Sequence, residues 1–289
     1  MSERASKNLT DPSDVRSLPL YNPRRIRDLL TRYNLRADKG FGQNFLIEPA
    51  VLSAIVGAAA LTPEDTVLEI GPGLGVLSAE LAARAGQVVS VELDARLLPV
   101  LAETLAGADN FTLIHGDGLE FDFSALPEGS LLVANLPYNV GTPILVRALE
   151  SGRFRRLVFL VQKEVAQRLS ALPGTPAYGA LSLIIAHFGQ ARRVRDVPPS
   201  AFMPPPTVTS SVVRLETLPG TLPDPALFRL IHQSFAHRRK TLKKNLLMAG
   251  YPAPDVISAL AVAELDPRVR AEALALGTFN TLRESLSAV

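Results

Sequence analysis

A glycine-rich turn between residues 69 and 75 is the first candidate for chemistry in this sequence. It reads Glu69-Ile-Gly-Pro-Gly-Leu-Gly75 and follows a short apolar run. Glycines there let the backbone turn sharply and approach a ligand closely, and the start of a following helix adds a partly positive end. The G-x-G-x-G spacing brings the third glycine one residue earlier than the dinucleotide fingerprint does. The turn predicts a ligand site, with a tight turn that binds nothing as the alternative.

Two carboxylates follow the next two apolar runs. Glu92 stands 21 residues after Gly71, where a side chain could accept hydrogen bonds from ribose hydroxyls. Asp117 lies between two glycines and could accept from an exocyclic amine, while Gly118 leaves room for a ring. Alone, Asp117 would be typical of a turn or a helix cap. Together with the glycine-rich turn, the two acids predict an adenosine-type cofactor that needs no pyrophosphate.

The tetrapeptide Asn135-Leu-Pro-Tyr138 follows the fourth apolar run and is the most specific signal. The amide of Asn135 offers both an acceptor and donors, the proline restricts the backbone, and Tyr138 presents a flat ring. Such a group can accept hydrogen bonds from the amine of a planar base while the ring stacks on that base. The motif predicts a pocket for an amine-bearing base, and the alternative is a turn with a packed aromatic.

Short apolar runs must carry these motifs. The runs at 66–70, 88–91, 111–114 and 131–134 are too short for helices, end in turns, and alternate with helical patterns. This predicts an α/β fold, a Rossmann-like parallel sheet with helices on both faces, in which ligands bind at the carboxyl ends of the strands. Residues 157–161 predict a fifth strand, and 180–187 and 212–215 predict two more at an antiparallel edge.

The chain divides into three parts. Residues 1–38 predict a loosely ordered arm and a short helix at 24–36, and residues 39–217 the catalytic domain. Residues 218–289 predict a smaller all-α domain, with one helical stripe from Pro225 to Gly250 and further helices at 254–263 and 267–288. Five prolines between Val197 and Val208 predict a rigid, extended surface loop.

Composition excludes several classes of protein. The 289 residues contain no cysteine, which excludes a disulfide framework, a thiolate zinc site and a catalytic cysteine. The longest apolar stretch, at 51–61, is well short of the roughly 20 residues that cross a bilayer. The charged amino terminus lacks the apolar region of an export signal. We therefore expect a cytoplasmic protein that is independent of membranes and metals.

Positive charge is clustered although 30 basic and 28 acidic residues give a net charge of only +2. No acid lies between Pro225 and Pro254, and that stretch holds the first candidates for contacts with RNA phosphates: Arg238, Arg239, Lys240, Lys243 and Lys244. Residues 24–39 are the second candidate, and smaller clusters lie at 153–156 and 192–195. The alternative for each cluster is a solvated face.

The ordered motifs resemble those of a known family. The segments 69–75, 91–94, 116–119 and 135–138 are similar to the cofactor and target-amine motifs of S-adenosylmethionine-dependent adenine N6-methyltransferases. The segments 39–46, 161–168, 197–206 and 235–242 resemble the rRNA adenine dimethyltransferases, and the resemblance covers about six sevenths of the chain. The set is most similar to the bacterial small-subunit type, the kasugamycin-sensitivity methylase family.

This resemblance implies a reaction and its residues. The implied activity dimethylates N6 of two adjacent adenines in a hairpin near the 3′ end of 16S rRNA within an immature small subunit. The donor would be S-adenosylmethionine, the product S-adenosylhomocysteine, and the enzyme a monomer. The implied cofactor contacts are Gln43, Asn44, Leu46, Gly71, Gly73, Glu92, Asp117, Gly118 and Asn135. The implied groups around the target base are Asn135, Leu136, Pro137, Tyr138 and Phe202.

Three alternatives remain open from the sequence. One is a large-subunit rRNA methylase of the macrolide-resistance type, which the long proline-rich loop and the helical carboxyl-terminal part disfavour. Another is a non-catalytic RNA-binding factor of ribosome assembly, which the intact Asn135 motif and acids disfavour. The third is a nicotinamide-dependent oxidoreductase, which the glycine spacing disfavours.

Overall fold

The computed structural model describes residues 15–37 and 42–287. Parts of the predicted arm and of the segment at 39–46, Lys39 included, lie outside these residues. The strands within them are β1 (Phe45–Leu46), β2 (Thr66–Ile70), β3 (Gln87–Glu92), β4 (Phe111–His115), β5 (Ser130–Asn135), β6 (Phe154–Gln162), β7 (Gly189–Val197), β8 (Phe202–Met203) and β9 (Ser210–Thr217).

Helices cover both faces of the sheet and form the carboxyl-terminal part. Within the same ranges they are α1 (Pro23–Arg32), α2 (Pro49–Ala59), α3 (Val76–Ala82), α4 (Leu98–Thr104), α5 (Gly141–Glu150), α6 (Lys163–Leu169), α7 (Ala180–Phe188), α8 (Pro225–Ser234), α9 (Leu242–Met248), α10 (Ala253–Val262) and α11 (Leu276–Ser287). The predicted helix at 24–36 thus ends earlier than expected.

The central sheet has the strand order β4-β3-β2-β5-β6-β9-β7. The five strands from β4 to β6 are parallel, and β9 pairs antiparallel with both β6 and β7. The predicted α/β fold is therefore confirmed. Val67 and Leu68 are both fully buried although they point to opposite faces, because helices cover both sides of a parallel sheet.

Of the two strands expected at the antiparallel edge of the sheet, 212–215 lies in β9, and the other prediction was wrong. Residues 180–187, predicted as a strand, form helix α7 instead. The apolar run showed no helical period because Leu181 and Ile184 pack on the sheet while Leu183 packs into the carboxyl-terminal core. The edge strand is β7, which shows no strand pattern in the sequence because most of its side chains are exposed and polar.

The proline-rich loop was also predicted incorrectly at its centre. Strand β8 pairs antiparallel with β1, with Phe202 opposite Leu46. Ile47 N donates to Ala201 O at 2.9 Å. Phe202 is only 2% exposed, because its apolar ring is covered by the main core on this side of the sheet. The loop is therefore anchored to the catalytic part and is not a free surface segment.

The predicted helical stripe from Pro225 to Gly250 is two helices. Asp224 caps α8, since its Oδ1 accepts from Leu227 N at 2.9 Å. The hydroxyl of Thr241 accepts from Lys244 N at 3.2 Å and begins α9. Asn245 Nδ2 donates to Ser234 O at 2.6 Å. These capping bonds satisfy the backbone where the helix stops, so a helical stripe alone could not reveal the break.

An apolar core separate from those on the two faces of the sheet holds the carboxyl-terminal helices together. It joins Leu230, Leu246 and Phe279 with Tyr178 and Leu183 from before the predicted boundary at residue 218. Tyr178 also donates its hydroxyl to Leu274 O at 2.7 Å. The helical part is thus packed on the catalytic part through α7 and the segment that precedes it.

Candidate active site

One cavity opens at the carboxyl ends of β2 to β5. It encloses about 1150 Å³, its open mouth included. Its lining unites the cofactor candidates with the base motif: Gln43, Asn44, Leu46, Gly71, Gly73, Glu92, Asp117, Gly118, Asn135, Leu136, Pro137 and Tyr138. These residues come from five separate segments of the chain, so the sheet brings together groups that are up to 95 positions apart.

Two glycines keep the cavity open. Gly73 adopts φ +60°, and a Cβ there would lie 3.3 Å from the ring of Phe45. At Gly118 a Cβ would lie 2.6 Å from Ile70 Cγ2, which is closer than real carbon contacts. A side chain at either position would have to displace the wall of the cavity. Glycine is therefore needed at these two positions because a side chain would not fit, and not only because the backbone bends tightly.

Glu92 is a buried carboxylate that the backbone orients. It is 6% exposed, its Oε2 accepts from Gly73 N at 3.2 Å, and its Oε1 accepts from Asp94 N at 2.8 Å. Burial raises the pKa of Glu92, although these backbone donors oppose the shift. Each oxygen retains a lone pair, so the carboxylate can accept further hydrogen bonds from the hydroxyls of a ligand.

Glu69 begins the glycine-rich segment and is a buried carboxyl of the cavity wall that was not among the predicted site residues. It is 1% exposed, and its Oε2 accepts from Ser78 Oγ at 2.6 Å and from Ser90 Oγ at 2.7 Å. Burial raises the pKa of Glu69 to about 7, against these two hydrogen bonds and with a contribution from nearby Glu92. The serines lie 9 and 21 residues further along the chain, so no local motif marks the cluster.

Side-chain hydrogen bonds hold the loops on either side of the cavity. Asp117 Oδ1 accepts from Leu119 N at 2.8 Å, which is the turn cap considered as its alternative role, and the residue also lines the cavity. Gln43 Nε2 donates to Asp94 Oδ2 at 2.8 Å. The guanidinium of Arg96 lowers the pKa of Asp94. The segment after residue 42 is thereby attached to the loop that follows β3.

Asn135 is oriented by the opposite wall. Its Nδ2 donates to Asn44 O at 3.2 Å. This bond turns the amide nitrogen toward Asn44 and the amide oxygen away from it. Within the described ranges the Oδ1 atom has no protein partner. Asn135 therefore offers an acceptor oxygen to the cavity, beside the backbone of Leu136. That is the arrangement which an amine-bearing base requires.

Tyr138 is positioned by a second residue that the sequence did not reveal. Its hydroxyl lies 2.5 Å from Ser210 Oγ, and Ser210 is fully buried at the start of β9. Burial raises the pKa of Tyr138. The two residues are 72 positions apart, so only the pairing of β9 with β6 brings the serine to the tyrosine.

The other candidate residues lie apart from the cavity lining. Phe202 is buried behind it and is paired with Leu46. The basic cluster, Arg238 to Lys244, occupies the segment between α8 and α9 and the start of α9. Arg238 Nη2 donates to Pro176 O at 3.0 Å. Of the cluster, Lys243 is half-buried and the rest are exposed.

The donor set fits an adenosine-containing cofactor. Glu92 and Asp117 supply acceptors for hydroxyl and amine groups, and the glycines leave room for rings and chains. Among residues 15–37 and 42–287, no group of His, Asp and Glu side chains could hold a metal ion. In those same ranges no helix has the length and apolar character needed to cross a membrane.

Comparison with known proteins gives a consistent result. The family model described as ribosomal RNA adenine dimethylase matches residues 34–286. The chain is 46% identical over 288 residues to the ribosomal RNA small subunit methyltransferase A of Deinococcus radiodurans, covering 98% of each chain. It is 42% identical to the protein of the same name from Lactiplantibacillus plantarum, covering 94% of this chain and 97% of that one.

Solved structures resemble the fold along most of the chain. A dimethyladenosine transferase from Plasmodium falciparum aligns with a TM-score of 0.73 and 27% identity, covering 82% of this chain and 95% of that one. The 23S rRNA methyltransferase ErmE aligns with a TM-score of 0.67 and 29% identity, covering 84% of this chain and all of that one. The shared architecture includes enzymes that are named for different ribosomal RNAs.

Proposed function

The chain belongs to the ribosomal RNA adenine dimethylase family, and on that premise we propose that it dimethylates N6 of two adjacent adenines in a hairpin near the 3′ end of 16S rRNA. It is an S-adenosylmethionine-dependent methyltransferase that acts on ribosomal RNA. The proposed substrate is an immature small subunit in the cytoplasm, and the proposed active form is a monomer. The small-subunit names of the more similar relatives support this choice over a large-subunit substrate.

The acceptor geometry of Asn135 is the observation that carries the proposal. Its amide nitrogen is held by Asn44 O at 3.2 Å, which leaves the amide oxygen for the target amine. We propose that this oxygen and the Leu136 carbonyl accept hydrogen bonds from N6, with Pro137 holding the turn. Such bonds favour a pyramidal nitrogen and free its lone pair, which the adenine ring otherwise delocalises.

The residues around Asn135 position the reactants. Bound S-adenosylmethionine supplies a methyl group activated by its sulfonium charge. Glu92 would hold the ribose hydroxyls and Asp117 the adenine amine of that cofactor. Gln43, Asn44, Leu46, Gly71, Gly73 and Gly118 would complete its pocket. None of the described residues that line the cavity is a histidine, so the proposed catalysis depends on positioning and electrostatics and not on a histidine base.

Tyr138 is the proposed stacking surface for the flipped target base. The hydrogen bond between its hydroxyl and that of Ser210 holds its ring at the cavity wall. Phe202 would clamp the base from the loop that β1 and β8 anchor. Because its ring is buried, this role requires the proline-rich loop to move when RNA binds.

The basic cluster at 238–244 is the proposed phosphate contact. Arg239, Lys240 and Lys244 are exposed. Lys240 N donates to His237 O in the turn before α9, and Lys244 lies in α9 itself. Positive side chains at this surface would hold RNA through its backbone without reading its sequence.

Methyl transfer to defined ribosomal particles tests the proposal. Purified enzyme receives labelled S-adenosylmethionine with unmethylated small subunits, mature small subunits or large subunits, and the product RNA is digested to nucleosides. The expected product is N6,N6-dimethyladenosine at two adjacent positions near the 3′ end, from unmethylated small subunits alone. Transfer to large-subunit RNA would favour the macrolide-resistance type, and tight binding without transfer would indicate an assembly factor.

A further inference from the structure

The outer edge of the sheet carries a second basic surface. Strand β7 pairs only with β9 within the sheet, and it exposes Arg192, Arg193 and Arg195. A register shift between Arg193 and Arg195 leaves Val194 unpaired and 43% exposed. The three guanidinium groups are therefore spread along one exposed edge strand.

Few carboxylates neutralise this edge. Asp196 Oδ2 lies 2.7 Å from Lys163 Nζ, and its Oδ1 lies 3.7 Å from Arg193 Nη1. Arg195 Nη1 donates to a backbone oxygen, Ala50 O, at 3.2 Å. Within the described ranges Arg192 makes no ion pair. One carboxylate thus serves a group of four cations, and the edge retains an excess of positive charge.

The same edge leads directly to the proposed base site. Val197 ends β7 and pairs with Ser210, whose hydroxyl contacts Tyr138. Arg195 precedes Val197 by two residues, about 7 Å at the rise of a strand, and Arg192 lies about 10 Å further from it. A nucleic-acid strand whose adenine reaches Tyr138 would therefore bring its neighbouring phosphates within reach of these side chains.

We propose that the β7 arginines bind the phosphates that flank the target adenines, as a contact surface separate from the basic cluster at 238–244. This inference rests on the proposed function, because it takes the RNA substrate as given. Guanidinium groups suit the role because their fork of donors matches phosphate oxygens. The contacts would hold the target strand while its base leaves the stack, which costs free energy.

Neutralising two of the arginines tests the surface. The variant Arg192→Gln/Arg193→Gln spares Arg195, which contacts α2. If each arginine neutralises one phosphate, the slope of log binding constant against log salt should fall by about 1.4. Affinity at about 0.1 M salt should fall roughly 25-fold on the same basis. The measurement is a salt titration with unmethylated small subunits and, separately, with the protein-free 3′-terminal hairpin of 16S rRNA.

The matched control removes two cations near the amino ends of β3 and β6, at the end of the sheet opposite the cavity. Arg84 follows α3 and Arg153 precedes β6, and each pairs with a partly or fully exposed carboxylate. Arg84→Gln/Arg153→Gln should bind RNA with an unchanged slope. The variant Arg192→Lys/Arg193→Lys keeps the charge and should retain most of the slope. Cofactor binding by all three variants shows that the cavity has folded.

The outcomes separate this inference from the proposed function. Equal loss in the two glutamine variants, or an unchanged slope in Arg192→Gln/Arg193→Gln, would overturn it and leave the arginines as charges that protect an edge strand from pairing. Wild-type methylation of small subunits is scored in parallel. If methylation occurs while the slope is unchanged, only the β7 surface is wrong. If wild-type enzyme binds but transfers no methyl group, the proposed function fails.

Discussion

The cavity and the basic cluster at 238–244 place their charges in opposite environments. Glu69 and Glu92 are 1% and 6% exposed, and each is held by two hydrogen bonds from neighbouring groups. Arg239 and Lys240 are exposed to solvent in the turn between α8 and α9. The protonation and orientation of the cavity carboxylates therefore depend on burial and on their hydrogen-bond partners. The exposed cations of the cluster act through an electric field that salt screens.

Under the proposed function, this difference separates methyl transfer from RNA binding. A buried, oriented group contributes through its position, so one substitution should have a large and specific effect. An exposed cation contributes through its charge, so its effects should accumulate with neighbouring cations and weaken as salt is added. Chemistry and RNA affinity should therefore be separable by mutation.

Removing the oriented amide should have the largest effect. Asn135→Ala should lower methyl transfer at saturating RNA by about 10² to 10³-fold, the range for loss of one preorganised hydrogen-bonding group. RNA affinity should remain within about threefold, because the side chain carries no charge. Single-turnover transfer and RNA binding are measured on the same preparation. Near-normal transfer would remove Asn135 from the proposed mechanism.

Reversing charge in the cluster should give the complementary result. The variant Arg238→Glu/Arg239→Glu/Lys240→Glu should bind small subunits about 100-fold more weakly at about 0.1 M salt, with a slope against log salt lower by about 2. Cofactor affinity should be unchanged. Arg268→Glu, which alters a cation that is 89% exposed in the same helical part, is the control. A slope equal to that of the wild type would show that RNA phosphates contact a different surface.

The buried Glu69 should make stability depend on pH. Its folded-state pKa of about 7 lies above the ordinary value of 4.5, so the folded protein holds this proton more tightly than the unfolded chain does. The free energy of unfolding should therefore fall as pH rises from about 4.5 to about 7, by up to about 3 kcal/mol from this group. Urea unfolding of wild type and Glu69→Gln across that interval measures the difference.

The outcome for Glu69 has a defined sign. Glu69→Gln should gain stability relative to wild type as pH rises, because its neutral amide pays no penalty for ionising in a buried site. Glu128→Gln, at a carboxylate that is 83% exposed, controls for the loss of one acid. A constant difference between wild type and Glu69→Gln at every pH would show that the carboxyl does not titrate in this interval.

The smallest effect is expected at the hydrogen bond behind Tyr138. Tyr138→Phe and Ser210→Ala should each slow methyl transfer about 3- to 10-fold, the equivalent of one hydrogen bond of about 0.5–1.5 kcal/mol. The double variant should be no slower than the worse single variant, since each change removes the same hydrogen bond. Ser211→Ala, which removes a bond to Asp196 instead, is the control. Additive losses would show that the two hydroxyls act independently.

Local patterns predicted much of the catalytic part. Strand β2 begins and ends at the predicted residues, because a continuous apolar run ending in Gly71 needs only short-range information. The cofactor and base motifs from Gln43 to Tyr138 were assigned to one edge, and they line one cavity. Strand β7 was not predicted because its side chains are exposed at the edge of the sheet, and helix α7 was not predicted because it is buried on two sides. In both cases the sequence lacks the hydrophobic period of the element.

By itself the sequence determined where the chain turns, which residues offer acceptors, and which family the ordered motifs resemble. Only the tertiary structure decided that Ser78 and Ser90 meet on one oxygen of Glu69, that Asn44 orients Asn135, and that Ser210 reaches Tyr138. Turn and strand preferences depend on residues that are neighbours in the chain, so they can be predicted from the sequence. Contacts between residues up to 91 positions apart depend on how strands and layers pack.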